Sequence, residues 1–134
     1  MASIFTKIVL GEIPSYKVAE DDNYLAFLDI FPLKRGHVLV IPKQEVDNLF
    51  DLEPTVYQGL WAFAHKVARA IPLAIPCTRV GVAVLGMEVP HAHLHLVPIE
   101  AEHELSFANT PLSLSSEEMM SIAASISDAL DSAE

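Results

Sequence analysis

The chain has 134 residues, of which 51% are hydrophobic and 19% are charged, as is typical of one globular domain with a single core. Its net charge is −10, and all eight lysines and arginines lie at or before Arg79, so the last 55 residues carry nine acids and no basic side chain except histidine. This distribution argues against a basic groove for DNA or RNA. An anion bound in the second half would be held by histidines, backbone N–H groups or helix ends.

A single cysteine, Cys77, excludes an internal disulfide framework and a CxxC zinc knuckle. The sequence has neither the apolar core of a signal peptide nor a run of membrane-spanning length. We therefore expect a cytoplasmic protein with no membrane partner.

The first predicted element is a short helix with Ser3 as its N-cap and Gly11 as its terminator. Ile4 and Ile8 are spaced four apart, as are Phe5 and Val9, so the helix should lay an apolar stripe on the body of the protein.

Two strands are predicted next, over residues 15–20 and 24–29, and the acidic turn at 21–23 indicates a hairpin between them. The second strand ends at Asp29, on the same face as Leu25 and Phe27. The residues alone favour a turn or cap role for Asp29, ahead of Phe31 and Pro32.

A third strand over residues 37–42 is almost entirely apolar, which predicts burial on both faces. His37 shares its face with Leu39 and Ile41. A lone histidine there is usually a satisfied core residue, but three more histidines downstream supply candidate partners for it.

The middle of the chain is predicted to form a helix that begins near residues 51–54, with proline in its first turn. Pro72 and Pro76 bracket the connection to a strand over residues 79–85. A last helix, over about 116–131, begins at a capping box made by Ser115 and Glu118. The order of elements predicts an α+β fold: an antiparallel sheet of about five strands with flanking helices, in one domain spanning 1–134.

The most informative stretch is residues 90–98, in which His91, His93 and His95 recur at every second position. Side chains alternate between the faces of a strand, so the three imidazoles should line one face while Ala92 and Leu94 pack on the other. This strand is predicted to pair antiparallel with the preceding one.

Three uses of such a face stay open on the residues alone. The histidines could be ordinary surface residues of a half-buried strand. They could bind Zn²⁺, with Glu88 adding a carboxylate, although no other acid or cysteine is obviously placed as a ligand. They could instead perform phosphorus chemistry, with one imidazole attacking the phosphorus and two supporting it.

The stretches GHVLVIPK (36–43) and HAHLHLVP (91–98) together resemble the histidine triad (HIT) family of nucleotide hydrolases and transferases. IFTKI (4–8), EIP (12–14) and AFLDI (26–30) match the N-terminal half of that family. The resemblance implies a homodimer whose two sheets join into one, and hydrolysis or transfer at the α-phosphate of a purine nucleotide without a metal or other cofactor.

The resemblance also implies a role for individual residues. His93 would be the nucleophile that takes up the nucleotidyl group, His91 and His95 would orient it and bind phosphate oxygens, and His37 would support them. Asp29 would accept the ribose hydroxyls. The base would lie in an apolar slot formed by Ile4, Phe5, Ile8, Phe27, Leu28 and Ile30.

The link before the histidines departs from the family pattern. Many relatives carry an asparagine on the preceding strand and a Gly-Gln-Ser or Gly-Gln-Thr run, whereas this chain has Gly86-Met87-Glu88 and no asparagine over 80–85. An ionised Glu88 would repel a phosphate, and a protonated one could serve as a general acid. The departures leave a second hypothesis open, a nucleotide-binding protein with little turnover that acts in sensing or partner binding.

Overall fold

The computed structural model describes residues 2–133. A five-stranded antiparallel sheet in the order β1-β2-β3-β5-β4 forms its centre, as the sequence predicted. The elements in chain order are α1 (Ile4–Val9), β1 (Lys17–Glu20), β2 (Tyr24–Leu28), β3 (Val38–Pro42), α2 (Pro54–Ala74), β4 (Arg79–Ala83), β5 (Leu94–Ile99) and α3 (Ser116–Ala133). Short 3₁₀ turns at Leu49–Asp51 and Glu102–Glu104 complete them.

The sheet separates two apolar layers. On one face α2 and α3 pack over the alternate strand residues that include Leu28, Val38 and Leu96. On the other face the short helix α1 packs through Phe5 and Ile8 against Leu25, Phe27, Leu39 and Ile41. The helical face is the larger core, so it holds the sheet rigid while the opposite face stays available for a site.

Gly36 controls how the chain enters β3. It has a φ of +88°, and an added Cβ would meet the Ile75 side chain at 3.0 Å, so both backbone and space require glycine here. The His37 carbonyl then accepts the Asp29 N–H at 3.0 Å and extends the β2–β3 ladder by one pair. This ladder places Asp29 and His37 side by side at the same end of the sheet.

Several element boundaries differ from the sequence prediction. Helix α2 continues to Ala74 with Pro72 inside its last turns, where proline removes only one helical hydrogen bond. The four strands predicted over 15–20, 24–29, 37–42 and 79–85 are each shorter than expected by one or two terminal residues.

The histidine strand also begins later than its alternation suggested, since β5 starts at Leu94. The preceding residues form a bend in which the His91 N–H bonds to the Val89 carbonyl and the Ala92 N–H to the Val46 carbonyl. The predicted alternation nevertheless holds, because Ala92, Leu94 and Leu96 all lie in the helical core.

The predicted N-cap at Ser3, the predicted capping box of Ser115 and Glu118, and the two helices that begin there are confirmed. Ser3 Oγ accepts the Thr6 N–H at the start of α1, and Ser115 and Glu118 exchange side-chain hydrogen bonds at the start of α3. Helix α3 buries Met119, Ile122, Ala123 and Ile126. No helix in the described part of the chain is long and apolar enough to cross a membrane.

Candidate active site

Four histidines and two phenylalanines form a continuous row of rings on the α1 face of the sheet. Ring centroids are 5.0 Å apart between Phe5 and His93, 5.0 Å between His93 and His95, and 4.6 Å between His95 and Phe107. The His37 ring lies 5.2 Å from that of His95, and the His91 ring lies 5.8 Å from that of Phe5. The structure therefore brings together all four histidines named from the sequence.

His93 has its protonation pattern fixed by the main chain. Its Nδ1 lies 2.7 Å from the carbonyl oxygen of His91. A carbonyl only accepts, so His93 Nδ1 carries the proton, and in the neutral ring Nε2 holds a bare lone pair. Within residues 2–133, Nε2 forms no hydrogen bond. The ring thus presents a free nucleophilic nitrogen.

His95 presents the opposite form, set by His37. The Leu33 N–H donates to His37 Nδ1 at 3.0 Å, which leaves the proton of neutral His37 on Nε2. That Nε2–H lies 3.0 Å from His95 Nδ1 and donates to it. Neutral His95 is therefore protonated on Nε2 and offers a nitrogen donor, in a ring whose centroid lies 5.0 Å from that of His93.

Burial keeps this pair neutral. Burial of the ring lowers the pKa of His37 from 6.5 to about 4. Burial, with added repulsion from His37 and His93, lowers the pKa of His95 to about 4 as well, although the Asp29 charge acts in the other direction. Both rings are uncharged at neutral pH, as the hydrogen-bond pattern requires.

His91 is fully buried, and protein groups occupy both of its ring nitrogens. Nε2 donates to the Pro42 carbonyl at 2.8 Å, and Nδ1 lies 2.8 Å from the Ser3 hydroxyl. No ring nitrogen of His91 is left for a phosphate oxygen in this arrangement. Its contact with the predicted nucleophile is its backbone carbonyl, which agrees with an orienting role.

Two residues of this network were missed by the sequence analysis, and a third was recognised only as a helix cap. Glu45 Oε1 accepts the Ser3 N–H at 2.7 Å and the Thr6 hydroxyl at 2.6 Å. These bonds lower the pKa of Glu45 from 4.5 to about 2. The only sequence signal was the spacing of Ser3 and Thr6, which puts two hydroxyls on one side of a helix start.

Phe107 is a further residue that the sequence analysis did not single out. Its ring meets the His95 ring edge-on, and 42% of its surface is exposed. The Leu112 N–H bonds to the Pro32 carbonyl and holds this segment against the loop before His37. Phe107 therefore covers the outer side of the His37–His95 pair.

Asp29 combines the turn role that its residue pattern favoured with a place in the site. Oδ1 accepts the Phe31 N–H at 2.9 Å, and Oδ2 lies 3.5 Å from His37 Nε2. Its side chain is part-exposed, so lone pairs remain for a hydroxyl of a ligand.

Asp29, His37 and His95 are also the one group of three metal-ligating side chains, among the described residues, whose donor atoms all lie within 4.8 Å of one another. A cation there would have to replace the hydrogen bond between the two histidines, because that bond occupies a nitrogen of each ring. His91 and His93 lie outside this group. The arrangement that the structure holds is a hydrogen-bonded one.

The predicted base slot is only partly assembled. Phe5, Ile8 and Phe27 pack in one cluster beside the histidines, and Ile4 and Ile30 lie at its exposed rim, with 46% and 60% of their surfaces accessible. The side chain of Leu28 points to the helical core on the other face of the sheet. Strand alternation separates it from its neighbour Phe27, so Leu28 offers the site only its backbone.

Glu88 lies in the link before the histidines and is exposed. It makes no hydrogen bond or ion pair with the rest of the described chain.

Comparisons with known proteins agree with this geometry. A family model described as HIT domain matches residues 10–102. "Protein hit" from Bacillus subtilis is 38% identical over 100 residues, which cover 71% of this chain and 69% of that protein. Adenosine 5'-monophosphoramidase hnt1 from Schizosaccharomyces pombe is 37% identical over 99 residues, 73% of this chain and 74% of that protein. A Zn-bound histidine triad family protein from Mycobacterium smegmatis superposes with a TM-score of 0.82 at 34% identity, covering 100% and 99% of the two chains.

Proposed function

This chain belongs to the HIT family, and on that premise we propose that it hydrolyses the bond between a nucleoside 5′-phosphoryl group and its leaving group, with His93 as the nucleophile. Purine nucleotides are the proposed substrates, joined to an amine as a phosphoramidate or to another nucleotidyl acceptor. The relatives named as adenosine 5'-monophosphoramidases support this substrate class. We propose that the protein acts in the cytoplasm.

The observation that carries the proposal is the hydrogen bond from His93 Nδ1 to the His91 carbonyl. It leaves the Nε2 lone pair free, and a neutral imidazole nitrogen is an effective nucleophile toward phosphorus. The neighbouring His95 Nε2–H would donate to a non-bridging phosphate oxygen and offset its charge in the transition state.

The proposed reaction takes two displacements. First the Nε2 lone pair of His93 forms a bond to phosphorus while the bond from phosphorus to the leaving group breaks; the leaving group keeps that electron pair and takes up a proton. Water then attacks phosphorus and gives up a proton, and the P–N bond breaks and returns its electron pair to His93. The product is a nucleoside monophosphate, and the enzyme is restored.

The remaining predicted residues have roles in binding. The cluster of Phe5, Ile8 and Phe27 would hold the base, with Ile4 and Ile30 closing over it at the rim. Asp29 would accept ribose hydroxyls with its free lone pairs. The side chain of Leu28 is not part of this proposal, because it packs on the far face of the sheet.

A homodimer is part of the proposal. Strand β4 is an end strand of the sheet. Val82 within it is 44% exposed, and Val84 and Leu85, which follow it directly, are 36% and 57% exposed. An end strand with apolar side chains readily pairs with a second copy. Sedimentation should give twice the 14.7 kDa chain mass, and a monomer at micromolar concentration would contradict the pairing.

Trapping the intermediate tests the reaction. Wild type, His93→Ala and the surface control His65→Ala are mixed briefly with labelled adenosine 5′-phosphoramidate and quenched at alkaline pH, where a phosphoimidazole survives. We expect a labelled adduct with wild type and His65→Ala and none with His93→Ala. No adduct and no product from wild type, across several leaving groups, would favour the second hypothesis, a nucleotide-binding protein with little turnover.

Metal analysis addresses the remaining alternative. Protein purified without a histidine tag should contain no metal in near-equal ratio to the chain, and turnover should survive a chelator. Bound zinc in near-equal ratio would favour the Asp29–His37–His95 group as a metal site instead.

A further inference from the structure

A cluster of four polar residues joins the start of α1 to the loop after β3 and to the bend before β5. Glu45 accepts hydrogen bonds from Ser3 and Thr6, and Ser3 Oγ lies 2.8 Å from His91 Nδ1. Ser3 and His91 are separated by 88 positions in the chain. Glu45 itself is exposed, whereas Ser3 and His91 are buried, so the cluster runs from the surface to the interior.

The protons in this cluster can be assigned from its fixed donors and acceptors. The Pro42 carbonyl takes the His91 Nε2–H, so neutral His91 Nδ1 is an acceptor. Ser3 Oγ already accepts the Thr6 N–H at 3.0 Å, and its own hydroxyl proton is free to donate. At 2.8 Å, against 3.3 Å to Thr6 Oγ1, His91 Nδ1 is its better-placed acceptor.

The cluster reaches the predicted nucleophile through the main chain. With one ring nitrogen on Ser3 and the other on Pro42, the His91 side chain is held at both ends. This fixes the backbone at residue 91, whose carbonyl accepts the His93 Nδ1–H at 2.7 Å. Three short hydrogen bonds in series therefore connect Glu45 to the ring that must keep its Nε2 bare.

We propose that Glu45, acting through Ser3, Thr6 and the backbone of His91, is a positioning residue that holds His93 in its nucleophilic form. The inference rests on the proposed function for its catalytic meaning. The constraint on the His93 ring does not depend on any substrate and can be measured without one. None of the three residues touches the reacting atoms, so the expected effect is on the alignment of His93 rather than on substrate binding.

The direct test is NMR of the imidazole groups in ¹⁵N-labelled protein without substrate. Wild type should show His93 protonated on Nδ1, with slow exchange of that proton with water. In Ser3→Ala and Glu45→Ala the exchange should be faster and the other tautomer should become detectable. Glu45→Gln keeps an oxygen that can accept both hydrogen bonds, so it should largely restore the wild-type signals.

The matched control is Asp47→Ala, which removes an exposed carboxylate from the same loop and has no part in the cluster. Turnover is then measured on the same variants, well below their unfolding temperatures. In Ser3→Ala and Glu45→Ala we expect kcat to fall about 10-fold or more, with a smaller rise in KM, because misalignment of a reacting group acts on the chemical step. Glu45→Gln should recover most of kcat, and Asp47→Ala should match wild type.

The two proposals fail differently. If wild type turns over no substrate, the proposed function fails while the exchange measurement still decides whether Glu45 positions His93. If wild type is active but Ser3→Ala and Glu45→Ala behave as Asp47→Ala does, in both exchange and kcat, the positioning role is overturned. A Glu45→Gln variant as impaired as Glu45→Ala would also overturn it, since the oxygen acceptor would then not be what matters.

Discussion

His37 and His95 share a hydrogen bond whose direction is set by a third residue: His37 Nε2 lies 3.0 Å from His95 Nδ1, and the Leu33 N–H occupies the other nitrogen of His37. Since His37 Nδ1 must accept, its Nε2 must donate, and His95 Nδ1 must receive. A proton added to His95 Nδ1 would meet the His37 proton and break the bond. The geometry and the burial thus disfavour the same charged form.

Removing the His37 donor should impair turnover without removing a residue that meets the substrate. His37→Phe keeps a ring of similar size but leaves His95 Nδ1 unpaired, so the tautomer of His95 is no longer fixed. We expect kcat to fall about 10-fold to 100-fold. His37→Gln, whose amide nitrogen can occupy the place of Nε2, should lose less, and His65→Phe on the exposed face of α2 should be unaffected. Equal activity of His37→Phe and wild type would contradict the role.

Stability should fall as the pH drops from about 6.5 toward 4.5. The pKa of His37 and of His95 is about 4 in the folded protein against about 6.5 when unfolded, so the unfolded chain binds more protons in this window. The free energy of unfolding then decreases with falling pH, by up to about 1.4 kcal/mol per pH unit for each histidine. His91, whose pKa burial also lowers, adds in the same direction.

Urea midpoints between pH 7.5 and 5.0 measure this effect. Glu45 and Glu104, each with a pKa of about 2 in the folded protein, also stabilise it. That stabilisation is lost only below about pH 4.5, which is outside the window. His37→Phe should flatten the pH dependence, and His65→Gln should leave it unchanged. A midpoint that is constant from pH 7.5 to 5.0 would show that these rings are not buried in neutral form.

Glu88→Ser should raise turnover near neutral pH. Glu88 is exposed, and its carboxylate three positions before His91 would repel an incoming phosphate. We expect a gain of a few-fold that shrinks at high salt, where charges in solvent are screened. Glu117→Ser on the surface of α3 controls for the loss of one negative charge. A drop in turnover would instead indicate that Glu88 protonates the leaving group.

Phe107→Ala should make His95 easier to protonate. The Phe107 ring covers the outer side of His95, and part of the burial that lowers the pKa of His95 comes from it, while His37, His93 and Asp29 stay in place. The pKa of His95 should rise toward 6.5, and the acid limb of the pH profile of turnover should move to higher pH. An NMR titration of the His95 ring checks this, with the exposed Phe50→Ala as control.

The sequence predicted the fold and the central histidines well because both depend on short-range periodicity. Alternation in residues 91–96 assigned the histidines to one face and Ala92, Leu94 and Leu96 to the other, and the structure agrees even where the backbone bends. The same two-residue alternation placed Asp29 at the end of the strand face formed by Leu25 and Phe27. The proposed role of each histidine came from the family resemblance, because periodicity gives positions and not chemical roles.

What sequence reasoning missed depends on contacts between distant parts of the chain. Glu45 stands in a loop with no pattern, and its partners Ser3 and Thr6 lie 42 and 39 positions away. The inclusion of Leu28 in the base slot came from the family motif, although strand alternation places its side chain with Val38 on the other face. The Pro42 carbonyl fixes the proton of His91 on Nε2. A main-chain contact of this kind cannot be predicted from the pattern of side chains.

The main-chain origin of the two tautomers has a consequence for how this site tolerates change. The group that sets His37, and through it His95, is the amide of Leu33, and the group that sets His93 is the carbonyl of residue 91. Every amino acid supplies a carbonyl, and all but proline supply an amide hydrogen. Any residue except proline at position 33 can therefore keep the hydrogen arrangement on the histidine rings, provided that its side chain still packs against Val97 and Ile99, where the buried Leu33 side chain lies.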